Sequence, residues 1–188
     1  MQAQGDLVLE GSWLYGGSVP SRVVVRASDI AFGSGDQDDP PDVSHDRNEW
    51  CLYVGWFDPT DSSRMSSEIG PFKTLRDVIA HVEKSTDGSI RWSNTPDPGE
   101  KIGVALASLK RLPLNGLRHL PAGGTCGWYI WGGEELSQQP DFFKPVHVAH
   151  LADLCPEVLP YLSLLPGSRF LLANGHEDIW RDTTIKQA

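Results

Sequence analysis

Paired carboxylates are the residues whose type and spacing come nearest to chemistry. Glu134-Glu135 follow Trp131, and Glu177-Asp178 precede Trp180. Two carboxyl groups flanking a bond can act as general acid and base, as in glycoside hydrolysis. A small carboxylate-dependent hydrolase is therefore one reading of the chain. Neighbouring residues of a strand face opposite ways, however, so each doublet offers one group per face. Carboxylates beside tryptophans suit protein recognition at least as well, because aromatic anchors dominate interface energies.

Other constellations are weaker. His147 and His150 lie three apart, which puts them on one face of a helix, and Cys155 follows. Zinc wants four ligands with a recognisable second pair, and His119, His176 and Cys126 sit at no diagnostic spacing. Capping or packed histidines are expected there, with no metal and no other cofactor. The acidic residues Asp36, Asp38, Asp39 and Asp42 raise calcium. A calcium loop starting at Asp36 would need Gly and Glu where the chain has Pro41 and Arg47. What remains is a solvated loop, or a recognition loop for a basic partner. Gly16-Gly17-Ser18 and Pro166-Gly167-Ser168 do not complete a nucleophile elbow. Cys126-Gly127-Trp128 lacks the second cysteine of a thiol-protease box, and the glycines near Gly33 and Gly123 have no phosphate-loop lysine. No catalytic residue is assigned and no reaction class follows.

Charge points the same way. The chain has 25 Asp and Glu against 16 Lys and Arg, a formal net charge of -9. Nucleic acid needs a basic face and is disfavoured as a ligand, whereas a basic protein partner fits. The chain is 39% hydrophobic and 22% charged, the balance of a globular protein. Met1 to Asp6 lack the basic start of a secretory signal. No apolar run approaches the ~20 residues needed to cross a bilayer. Three cysteines with no Cys-x-x-Cys spacing suit free thiols in a reducing compartment. The expectation is a cytoplasmic protein with no membrane partner.

The elements that must carry these residues fall into two groups. Leu7 to Arg26 reads as two strands bent at Gly16-Gly17, and Trp50 to Phe57 as another, ended by Asp58-Pro59. Leu75, Val78, Ile79 and Val82 repeat at helical spacing behind a Thr74 cap, with Asp77 in the first turn. Ile90-Arg91-Trp92 reads as a last strand. Ser93 to Gly99 is polar, contains two prolines and marks a boundary, which divides the chain into 1–93 and 94–188. Beyond it, Ile102 to Leu109 reads as strand or short helix, and Gly127 to Trp131 as a strand. Val146 to Leu154 reads as a helix, and a second helix starts at Pro156. Phe170 to Trp180 forms a hairpin at Asn174-Gly175, the dipeptide most favoured for tight hairpin turns. The expected fold is α+β, two small sheet-plus-helix units with antiparallel strands and helices on one face.

Several short blocks recur in order along the second half: Gly127-Trp128-Tyr129-Ile130-Trp131-Gly132-Gly133-Glu134, Asp141-Phe142-Phe143, His147-Val148-Ala149-His150-Leu151, Cys155-Pro156-Glu157-Val158-Leu159-Pro160-Tyr161-Leu162, Leu165-Pro166-Gly167 and Gly175-His176-Glu177-Asp178-Ile179-Trp180. Together they resemble the C-terminal domain of a bacterial immunity-protein family of polymorphic toxin systems, immunity family thirty-three, long listed as a domain of unknown function. Ser168-Arg169 depart from that pattern, which has an aromatic residue before the basic one. The resemblance implies a non-enzymatic protein that binds and neutralises a cognate toxin in the producing bacterium, and it brings no catalytic residues. A basic toxin, such as a nuclease, fits the chain's charge. The residues expected at the interface are Asp36, Asp38, Asp39, Asp42, Trp131, Glu134, Glu135, Glu177 and Asp178.

Overall fold

The computed structural model describes residues 6–17, 19–29, 50–182 and 184–185. It divides into two compact units, Met1–Ser93 and Asn94–Ala188. Asp36, Asp38, Asp39 and Asp42 lie outside the described residues.

Among its described residues the first unit is an antiparallel sheet with one helix. Its strands are β1 (Asp6–Tyr15), β2 (Val19–Asp29), β3 (Trp50–Asp58), β4 (Asp61–Phe72) and β5 (Arg91–Trp92). They lie in the order β4-β3-β2-β1-β5. Gly16 and Gly17 turn β1 into β2 with φ of 58° and 79°, a region open to glycine at no steric cost. β3 stops at Asp58, just before Pro59, as expected. Val23, Val24, Val25 and Val54 are fully buried, so both faces of the central strands are covered. Helix α1 (Leu75–Ser85) packs against β3 and β4. Its Leu75, Val78 and Val82 are buried as the spacing requires, while Ile79 is half-buried. The Thr74 side chain accepts from Asp77 N at 3.1 Å, which completes the cap.

β4 was not expected. Its sequence, rich in serine, has no apolar alternation, and the burial explains why. As an edge strand it has no fully buried residue, so nothing selects hydrophobic side chains along it.

The second unit is a six-stranded sheet in the order β11-β10-β7-β8-β6-β9. Its strands are β6 (Lys101–Val104), β7 (Leu114–Arg118), β8 (Thr125–Gly132), β9 (Lys144–His147), β10 (Ser168–Ala173) and β11 (His176–Arg181). The Asn174-Gly175 hairpin is present, with φ of 47° and 83° at the two turn residues. One departure from an all-antiparallel arrangement is the β6–β8 pair, which is parallel. β8 lies between β6 and β7, and it pairs antiparallel with β7. β6 and β7 run oppositely, so a strand inserted between them must lie parallel to one.

The expected helix from Val146 to Leu154 is corrected. Val146 and His147 instead belong to β9, paired with Ile102 and Lys101. The amides of Val148 and Ala149 donate to Glu100 O and Pro98 O, both at 3.0 Å. These bonds to the strand side leave only a 3₁₀ turn at Val148–His150 and a short α2 (Leu151–Leu154). β9 is an edge strand, where Pro145, lacking an amide proton, is tolerated. The helix expected at Pro156 is a 3₁₀ helix, Pro156–Tyr161.

These short helices supply Val148, Leu151, Val158 and Tyr161 to the core. Phe170, Gly116 and Ile130 lie directly opposite one another across β10, β7 and β8, and so share a face. Trp128, two residues from Ile130, joins them, and its ring lies 5.5 Å from that of Phe170. Tyr161 closes the stack at 4.8 Å from Phe170. Gly116 is what permits this: a Cβ there would come within 2.1 Å of the Phe170 ring.

Candidate functional site

Arg118 is the buried polar centre of the second unit's core. It is 3% exposed, and its Nη1 donates to Leu162 O at 2.8 Å and to Leu164 O. Its Nη2 donates to Asn94 O at 2.9 Å. The guanidinium also lies 5.6 Å from the Trp128 ring, whose Nε1 donates to Leu162 O at 2.9 Å. Burial pushes the Arg118 pKa down from its ordinary value. Nothing in the sequence pattern singles it out, because a lone arginine ending a short strand looks like a surface residue.

One carboxylate doublet lies in the bend after β8 and the other on β11. Glu134 and Glu135 follow β8 in an exposed bend. The Asn115 side chain fixes that bend by donating to Gly133 O at 2.9 Å and Pro113 O at 3.1 Å. Gly132 is needed at its start, since a Cβ would meet Ser108 O at 2.1 Å and Arg111 O at 2.5 Å. On β11 the doublet splits between faces, as strand geometry requires. Asp178 is exposed, with His176 and Trp180 on its side, and Trp180 is 38% exposed. Glu177 is half-buried and accepts from the Tyr161 hydroxyl at 2.5 Å.

The two doublets do not converge through the sheet. Asp178 lies opposite Leu171, Leu171 opposite Asn115, and Asn115 opposite Trp131. Asp178 and the end of β8 are thus three strand spacings apart, roughly 14 Å. Paired glycosidase carboxylates work at ~5–9.5 Å. Trp131 shares the face of Asp178 but is 5% exposed, packed in a small cluster with Ala105, Leu117 and Ile185. Phe142 and Phe143 cover it, the Phe143 ring at 6.2 Å. Trp131 therefore holds the bend bearing Glu134, instead of presenting its own ring to solvent.

The histidines form no ligand set with cysteine. His147 and His150 are exposed with rings 5.9 Å apart, while Cys155 is 3% exposed. Burial, with Glu157 nearby, pushes the Cys155 thiol up to about 12. Among the described residues no group of three or more His, Cys, Asp or Glu gathers to hold a metal ion. Nor is any helix among them long and apolar enough to cross a membrane.

Ser168, at the departure noted above, is 3% exposed, and Arg169 pairs with Asp182 at 2.6 Å. A small buried residue thus takes the aromatic position, beside a basic residue tied to the end of the sheet.

A mixed six-stranded sheet with short helices packed on one of its faces makes this unit an α+β domain. The chain belongs to the Imm33-like domain family, whose model matches residues 86–182, just over half of its 188 residues. That name is consistent with an immunity family thirty-three domain in the C-terminal half. No curated protein and no solved structure matches the chain.

Proposed function

We propose that this protein is an immunity protein that binds a cognate toxin and blocks it in the bacterium that makes both, without catalysis and in the cytoplasm. The family match carries this reading, because residues 86–182 include every strand of the second sheet. Exposed Glu134, Glu135 and Asp178 fit a surface for a basic toxin, where complementary charge speeds capture. The separation of the carboxylates along the sheet supports binding over acid–base chemistry. Residues 1–93 and 94–188 are proposed as separate domains, with the second as the toxin-binding one.

Co-expression with the toxin encoded in the neighbouring reading frame tests the proposal. Growth should be rescued and a stable complex should co-purify. Failure of both rescue and complex formation defeats it.

A further inference from the structure

The second sheet ends on β11, and that edge lacks the devices found at the other edges. β4 meets β3 with three register shifts, β5 is two residues long, and β9 contains Pro145, which has no amide proton. Bulges, brevity and proline all discourage pairing between sheet edges. β11 instead pairs with β10 over all six of its residues with no shift, and it holds no proline. The chain then leaves this edge, since Ile185 is buried with Ala105, Leu117 and Trp131.

Hydrogen-bond phase decides which groups the edge offers. Asp182 N donates to Gly167 O at 2.8 Å. Antiparallel pairing alternates from residue to residue, so Trp180, Asp178 and His176 also turn their backbone groups towards β10. The N–H and C=O of Glu177, Ile179 and Arg181 therefore face outward. A second β11 can pair with the first across a two-fold axis where outward-facing residues meet their like. Centred on Ile179, such a pairing sets Ile179 opposite Ile179 of the second copy. It also sets Glu177 opposite Arg181 of the second copy, twice by symmetry. All three outward residues are then bonded, through about six hydrogen bonds.

Charge selects the same register. Glu177 meets Arg181, and the half-buried Ile179 side chains meet at the axis. The registers one step to either side set Asp178 against Asp178 of the second copy, or against its Asp182. Like charges directly opposite are unfavourable. Glu177 can serve two donors, because the Tyr161 hydroxyl takes Oε2 and leaves Oε1. Arg181 is exposed and makes no ion pair among the described residues. We propose that β11 is a self-complementary edge, through which two copies of this chain join their second sheets into one continuous sheet. The contact falls below the ~1,200 Å² of a standard interface, so the dimer forms at roughly 100 μM. No toxin takes part in this pairing, which therefore stands or falls separately from neutralisation.

Sedimentation equilibrium of the full-length protein alone, from roughly 5 μM to 1 mM, tests the proposal. The average mass should rise from monomer towards dimer and no further. Amide exchange followed by NMR reads the register. The amides of Glu177, Ile179 and Arg181 should slow several-fold at the highest concentration. Those of His176, Asp178 and Trp180, already turned to β10, should not change. Ile179→Pro removes an outward N–H without breaking a bond to β10, and it should leave the chain monomeric throughout. Arg181→Glu should weaken association about tenfold, since like charges then face each other twice, while Arg181→Lys should preserve it. These two changes lie at an exposed position and keep the test decisive if the proline variant does not fold. A monomer at every concentration overturns the proposal, even if a strand of a toxin is later found on this edge. So does a dimer whose strength is unchanged in the folded Pro and Glu variants, or whose slowed amides lie elsewhere.

Discussion

Among the described residues Arg118 is the only charged side chain that is buried, and main-chain carbonyls, not a carboxylate, receive its protons. Its planar fork reaches Leu162, Leu164 and Asn94 together, and thereby ties the chain after the 3₁₀ helix to the start of the unit. Arg118→Met should lower stability by about 3 kcal/mol in urea unfolding, because buried acceptors lose a charged donor. Arg118→Lys should recover little, since an ammonium cannot span three carbonyls in that geometry. A loss well under 1 kcal/mol for the methionine variant would show that water replaces the clamp. Acid acts elsewhere, at Asp182, Asp58 and Asp61, whose carboxyls are all held below their ordinary value. Asp182 accepts from Thr184 Oγ1 at 2.5 Å and Thr184 N at 2.9 Å, and it pairs with Arg169, so its pKa is lowered. Asp58 is lowered well below the carboxylate range by Arg64 and then by Thr60. A carboxyl held below its unfolded value, ~3.9, contributes stability that is complete above that pH and lost as pH falls through the folded value. The thermal midpoint should therefore be flat from neutrality to about pH 5 and fall below about pH 4. Asp182→Asn should flatten that fall; an unaltered acid profile would exclude Asp182 as a contributor.

Elements were legible where local chemistry and burial agree. At α1 the cap, the first-turn acid and the apolar stripe all point to one helix, and it forms as read, with Lys84 in its last turn. Thr74→Ala should cost about 1 kcal/mol, and Thr74→Ser should restore it; equal stability of all three proteins would mean that tertiary packing alone holds the helix start. The β1–β2 turn and the Asn174-Gly175 hairpin were readable for the same reason, since positive φ leaves a residue signature. β4 and β7 were not. β4 is exposed along its length and so has no pattern. β7 reads Leu114-Asn115-Gly116-Leu117-Arg118, a poor strand sequence, and its glycine makes room for the ring of Phe170, a residue far along the chain that no local cue announces. The helix assigned at Val146 failed because period alone cannot see that Ile102 and Lys101 offer a strand to pair with. The doublets were visible as residues, but not their separation, which depends on β10 and β7 lying between them. That Trp131 faces inward could not be read either, as the Phe142-Phe143 cover comes from a loop.

At the scale of the whole chain the charge is uneven. Residues 1–93 hold 15 acidic and 8 basic side chains, whereas residues 94–188 hold 10 and 8. Most of the net charge of -9 thus lies ahead of the unit that carries most of the family match. Long-range attraction governs how often partners meet, while close packing and hydrogen bonds govern how long they stay. The two halves should therefore affect different rate constants with a basic toxin. Replacing Asp36, Asp38, Asp39 and Asp42 with lysine should slow association about tenfold at low ionic strength and flatten its salt dependence, with dissociation little changed. Replacing Glu134, Glu135 and Asp178 with lysine should slow association too, but should also speed dissociation, because these exposed carboxylates are proposed to touch the toxin. Glu177 belongs to neither set, being bonded to Tyr161, and Glu177→Gln should act first on stability. Surface-coupled kinetics at two salt concentrations separates the cases. If both lysine sets leave the rate constants unchanged, the toxin binds elsewhere on the chain, and neither the acidity nor the doublets have a part in capture.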